Sequence, residues 1–60
     1  MIHMEPIGYS GITLCHDDKT SECYLTWGNG NTDFIGQYDE NIRDRAKDHI
    51  INVIVPSLKH

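Results

Sequence analysis

Apolar residues in this chain follow two periods, and the change from one to the other divides it. Over Asp39 to Val55 (DENIRDRAKDHIINVIV), Ile42, Ala46, Ile50, Val53 and Ile54 recur at steps of three and four. That spacing gathers them on one side of an amphipathic helix. Asp39 and Glu40 stand where the helix would begin, so their charges complement the positive end of its dipole. Pro56 is expected to stop it, because proline clashes with the preceding turn and removes a hydrogen bond.

Upstream the period drops to two. Ile12 to His16 and Glu22 to Trp27 suit strands, and the polar Asp17-Asp18-Lys19-Thr20-Ser21 between them suits a turn. Pairing Asp17 with Glu22 sets Ile12 opposite Trp27 and Leu14 opposite Leu25. Ile12, Leu14, Cys23, Leu25 and Trp27 then share one face, while Thr13, Cys15, Tyr24 and Thr26 take the other. A slip of one residue would scatter the apolar set, so burial selects this register. Next comes Gly28-Asn29-Gly30-Asn31, in which Asn29-Gly30 predicts a type I′ hairpin turn because both residues tolerate positive φ. That turn places Leu25 opposite Phe34, Trp27 opposite Thr32 and Tyr24 opposite Ile35. Trp27, Phe34 and Tyr38 read as core, Tyr24 and Tyr9 as exposed.

The expected fold is α+β: a three-stranded antiparallel β-meander followed by one C-terminal α-helix packed on the sheet. Residues 1–10, punctuated by Pro6, Gly8 and Ser10, read as an extended, loosely ordered segment, and residues 57–60 as a tail. The whole chain is expected to form a single domain.

The end of the helix carries more apolar residues than such a sheet can shelter. Ile50, Ile51, Val53, Ile54 and Val55 leave only Asn52 polar. A helix on three strands buries about half its circumference, so Ile51 and Val55 lack cover. A short fourth strand over Ile51 to Val55 is the competing reading, but no turn residue separates it from the helix. Surplus apolar surface points to self-association or a protein partner. Size points the same way, since a 60-residue chain buries only about 60% of what its unfolded form exposes.

Composition (38% hydrophobic, 23% charged) is that of a globular protein rather than a disordered one. Nine acidic residues against five basic ones give a net charge of −4. Arg43, Arg45 and Lys47 alternate with Asp44 and Asp48, so no cationic cluster is available to neutralise phosphates, and nucleic-acid binding is disfavoured. The first residues lack a basic start and an apolar core, and no apolar run approaches the roughly 18 residues of a membrane span. The cytoplasm is the expected compartment.

Candidate chemistry is sparse. Cys15 and Cys23 fall on opposite faces, which forbids a disulfide and predicts two thiols. Cys15, His16, Cys23 and His3 or His49 form the one conceivable zinc set, yet seven residues separate the cysteines and no second closely spaced pair exists. Cys15 and His16 adjoin on a strand and point apart, so no nucleophile and base converge. Asp17-Asp18 belongs to a turn and Asp39-Glu40 to a helix start. Gly28-Asn29-Gly30 links two strands, whereas a phosphate loop leads from a strand into a helix. No metal, cofactor or catalytic residue is expected.

The strand-strand-strand-helix order over residues 11 to 55 is similar to that of small antitoxin domains of the HicB kind and of other compact phage or plasmid proteins. A double-stranded-RNA-binding domain ends in the same order, but its basic helix start is replaced here by Asp39-Glu40. The resemblance is one of topology; a size that leaves no roomy active site and a helix with apolar residues to spare are what point to a protein that binds a protein. The expectation is a small acidic, non-enzymatic interaction protein, an inhibitor or antitoxin-like partner, acting as a homodimer through its C-terminal helix. Candidate contacts are Ile51 and Val55 on the helix, outward Tyr24 on the sheet, and the acids Asp17, Asp18, Asp44 and Asp48, which would mimic phosphates toward a basic target. The alternatives are a dimeric regulatory protein that touches nucleic acid and a zinc-binding mini-domain.

Overall fold

Strand β2 (Ile12–Asp17) is paired on both sides in the structure, a computed structural model that describes residues 1–59. On one side lies β3 (Glu22–Trp27), followed by β4 (Asn31–Gln37); on the other lies β1 (Ile2–Pro6). The fold is α+β with an antiparallel sheet and a C-terminal helix, as expected, but the sheet has four strands in the order β1-β2-β3-β4 rather than three. The extra strand comes from the segment expected to be loose. Proline is tolerated there because β1 is an edge strand and Pro6 is its last residue.

The β2–β3 register is the expected one, with Ile12 opposite Trp27, Leu14 opposite Leu25 and Asp17 opposite Glu22. The Ser21 N–H closes the loop on the Asp17 carbonyl at 2.8 Å, and the Asp17 carboxylate accepts from the Lys19 N–H at 2.9 Å.

The β3–β4 register departs from expectation by one residue. Trp27 lies opposite Asn31, Leu25 opposite Asp33 and Tyr24 opposite Phe34. The turn is shorter, and its positive φ values fall on Gly28 (60°) and Gly30 (87°) instead of on Asn29-Gly30. A one-residue shift turns the strand over: Asp33 faces the helix and Phe34 faces water, 60% exposed. The cause is that Asp33 finds donors inside. Trp27 Nε1 donates to it at 3.0 Å and His49 Nε2 lies 2.8 Å from the same oxygen. Ile35 then packs against the core, and a bulge beside Cys23 and Tyr24 rephases β4 after it, setting Gly36 opposite Cys23.

Helix α1 (Ile42–His49) starts later than Asp39. Asp39 instead forms the turn before it, accepting from the Asn41 N–H at 2.9 Å and pairing with Arg45 at 3.1 Å. Nor does Pro56 end the helix. The chain continues through a π-helical stretch, Ile50–Ile54, into a last turn, α2 (Val55–Leu58). Proline has no N–H to give and its ring crowds the carbonyl four residues back; the wider turn ahead of it, closed by the Val55 N–H on the Ile50 carbonyl, accommodates both. One extra residue in that turn rotates the remainder of the helix by about 100°. Ile54 is buried, as expected, but Val53 is exposed although expected inside, and Val55 is half-buried against the core. Ile51 stays uncovered, as expected. Residues 51–55 are helical, so the competing strand reading fails there.

The core joins Leu14, Cys23 and Leu25 of the sheet to Ile42, Ala46, Ile50 and Ile54 of the helix. Ile7 and Tyr9, in the β1–β2 connection, close one end, so Tyr9 is packed rather than exposed. Tyr38 lies outside the core, its ring stacked on His16 at 4.1 Å. Two arginines hold the helix to the sheet edges. Arg43 grips Glu5 of β1 with two hydrogen bonds, 2.8 and 3.0 Å. Arg45 donates to the carbonyls of Ile35 and Gln37, on either side of Gly36.

Gly36 has φ 112°, and a Cβ there would stand 2.6 Å from Arg45 Nη1. Gly36→Ala should therefore destabilise the fold by about 1–3 kcal/mol. Urea unfolding checks this: the midpoint should fall with an unchanged slope.

Candidate interaction surfaces

Side chains directly opposite one another in an antiparallel sheet share a face and touch. Among the described residues a single helical segment covers the sheet, and it covers one face. The other face is bare. Across its middle runs the row Met4, Cys15, Tyr24, Phe34, one residue from each strand in spatial order. Pro6, Thr13, Thr26 and Thr32 form the row on one side; Ile2, Asp17, Glu22 and Gln37 form the row on the other. Met4 and Phe34 at the ends are 70% and 60% exposed. Cys15, small and shut in between Met4 and Tyr24, is only 2% exposed. Tyr24 is half-buried; loss of water contact, and then the nearby Cys15, Asp17 and Glu22, push its phenol up.

The helix presents a different surface on the opposite side of the molecule. Asp44, Asp48 and Ile51, at steps of four and three, share the flank turned away from the sheet, with Lys47 between them. All four are exposed. The residues singled out from the sequence thus divide. Tyr24 and Asp17 lie on the bare sheet, and Asp44, Asp48 and Ile51 lie on the helix. Val55 belongs to neither group, because the π-helical turn swings it to the core. Asp18 is committed within the chain: its oxygens lie 2.9 Å from the Met1 ammonium and 2.9 Å from His3 Nε2.

Sequence reasoning missed Met4 and Phe34. Alternation in Ile2-His3-Met4-Glu5 signalled the first, since His3 and Glu5 turn to the helix side while Met4 turns out. The second depended on a register that apolar pattern alone does not reveal.

Cys15 and Cys23 are both buried free thiols, on opposite faces of the sheet. Burial pushes the Cys23 thiol up. Among the described residues no three metal-ligating side chains converge, and there is no cavity. Among the described residues no helix is long and apolar enough to cross a membrane. The sequence matches no family model, and comparisons with characterised proteins and with solved structures find no match.

Hydrogen bonds from the N-terminal ammonium and then His3 hold the Asp18 carboxyl below its ordinary value. The native chain therefore releases this proton more readily than the unfolded chain does. The resulting stability is complete above the ordinary carboxylate value and is lost as pH falls through the lowered native one. Acidification below about pH 4 should loosen β1 in the wild type. Asp18→Asn should show weak β1 protection already at neutral pH and little further loss with acid, as read by amide exchange.

Proposed function

We propose that this chain is a small non-enzymatic protein that binds another protein, in the manner of an inhibitor or antitoxin, and works as a homodimer in a reducing cytoplasm. One observation carries the reading. Among the described residues eight large apolar side chains are more than two-fifths exposed, of which Ile2, Met4 and Phe34 lie on the bare face of the sheet and Ile51, Val53 and Leu58 on the C-terminal helical segment. Scattered exposed apolar residues are ordinary on protein surfaces; contiguous ones mark contacts.

The target-facing side is the helix flank, where Ile51 sits among Asp44 and Asp48. Its complement is an apolar depression with a basic rim. Phosphate mimicry is narrower than the raw acid count suggests. Glu5, Asp18, Asp33 and Asp39 are each paired within the chain, which leaves Glu40, Asp44 and Asp48 on the helix side, and Asp17 and Glu22 on the sheet, to face a partner. The nucleic-acid reading is disfavoured further, because Arg43 and Arg45 are engaged in holding the helix to the sheet.

Capture of the target from the native host tests this. Asp44→Lys with Asp48→Lys should weaken binding about tenfold or more at low salt, and the difference should shrink at 1 M salt, where the screening length is about 3 Å. Ile51→Asp should weaken binding at every salt concentration. Binding indifferent to all three changes would remove the helix flank as the contact.

A further inference from the structure

We infer that the bare face of the sheet is closed in solution by a second copy of this chain, the two sheets stacked so that the row Met4, Cys15, Tyr24, Phe34 lies on its own counterpart. This rests on the homodimeric part of the proposed function and moves the contact from the helix to the sheet.

Charge placement argues for the occupant. Among the described residues the outer face carries no Lys or Arg, and its only ionised side chains are Asp17 and Glu22, which adjoin at one end. A basic partner would meet charge only at that rim, and over the centre it would lose the water around its own cations without repayment. A second copy brings a neutral, apolar centre to a neutral, apolar centre.

The same two acids select the orientation. A twofold axis parallel to the strands would set Asp17 and Glu22 of one copy on those of the other, like charge on like. An axis running along the apolar row reverses the strands of the second copy. Its Asp17 then lies over Thr13 and its Glu22 over Thr26. The contact is isologous and closes at two copies. Packed sheets stand about 10 Å apart with their facing side chains interdigitated, and the dip at Cys15 between Met4 and Tyr24 gives those side chains room.

Area sets the strength. Four strands at about 4.8 Å spacing, some five residues deep at about 3.3 Å, span about 19 by 17 Å. Even with the relief of the side chains this stays below the roughly 800 Å² per partner of a standard interface. The dimer is therefore weak, with a dissociation constant on the order of micromolar to hundreds of micromolar.

Sedimentation equilibrium on the full chain, from about 1 μM to 1 mM, tests the pairing. Wild type should pass from monomer to dimer. Phe34→Asp, at an exposed site, should raise the dissociation constant tenfold or more with an unchanged melting temperature, and Ile51→Asp should leave it where it is. Thr26→Lys, which faces Glu22 of the second copy, should tighten the dimer at low salt. A wild type that stays monomeric at 1 mM would overturn the inference. So would a dimer split by Ile51→Asp and spared by Phe34→Asp. Weakening, or no effect, from Thr26→Lys would overturn the orientation. Target capture separates the two readings: loss of capture in Phe34→Asp by a protein that is monomeric alone would assign the sheet to the target instead. Capture retained by a monomeric Phe34→Asp would leave the binding function standing without the helix flank being disturbed.

Discussion

A carboxylate on the sheltered side of a sheet must find donors, and Asp33 finds two. Trp27 supplies its indole N–H from the neighbouring strand, and His49 reaches down from the helix. This requirement sets the phase of β4. Apolar pattern alone would turn Phe34 inward and Asp33 out, gaining about 1.5–3 kcal/mol for a buried phenylalanine. That arrangement would also leave the Trp27 indole without its acceptor, where an unsatisfied buried donor costs about 1–3 kcal/mol, and would cut the helix loose from β4 at His49. The polar set wins because it satisfies three groups at once and binds two layers together.

The bulge in β4 is a consequence of that choice. With Asp33 facing in, strict alternation would set Ile35 opposite Cys23 and Gly36 opposite Glu22. Ile35 is instead the inserted residue, Gly36 takes the place opposite Cys23, and the carbonyls of Ile35 and Gln37 are taken by Arg45. Arg45 thus does for the backbone what a further strand would do, and the helix is fastened at the point where sheet pairing is irregular. Arg43 on Glu5 performs the matching task at the other edge. Arg43 and Arg45, both in the first turns of the helix, tie it to β1 on one side and to β4 on the other, and their charges are thereby spent within the molecule.

How much of this was legible depends on which physics each residue obeys. The β2–β3 register could be read because turn chemistry and burial point to the same pairing, Asp17 with Glu22. The helix face could be read through Ile42, Ala46 and Ile50, where the period is regular. Past Ile50 it holds for Ile51 and Ile54 but fails for Val53 and Val55, because Pro56 changes the period and sequence spacing carries no sign of a widened turn. β1 was hidden by Pro6 and Gly8, which punctuate a loop and an edge strand alike. Of the candidate surface, Tyr24 was placed on the outer face because it lies on the well-determined hairpin, whereas Asp17, read as a turn residue, is the last residue of β2. Phe34 was misplaced because its orientation is decided by a tryptophan N–H and a histidine that lie six residues before Asp33 and sixteen after it.

Among the described residues one helical segment covers one face of the sheet, and the other face is left without cover. Evolution toward solvent would fill that face with charge or with alternating polar residues. Here the two flanking rows do look solvated, with threonines at one end and acids at the other, while the row between them holds Met4, Cys15, Tyr24 and Phe34. An apolar centre inside a polar rim is the layout of a protein contact, in which the rim stays wet and the centre excludes water. The threonine row adds β-propensity without adding charge, so it stiffens the strands and leaves the approach of a neighbour unopposed. What the interior gained by taking Asp33 it gave up in Phe34, and that ring, displaced from the core, now completes the patch outside.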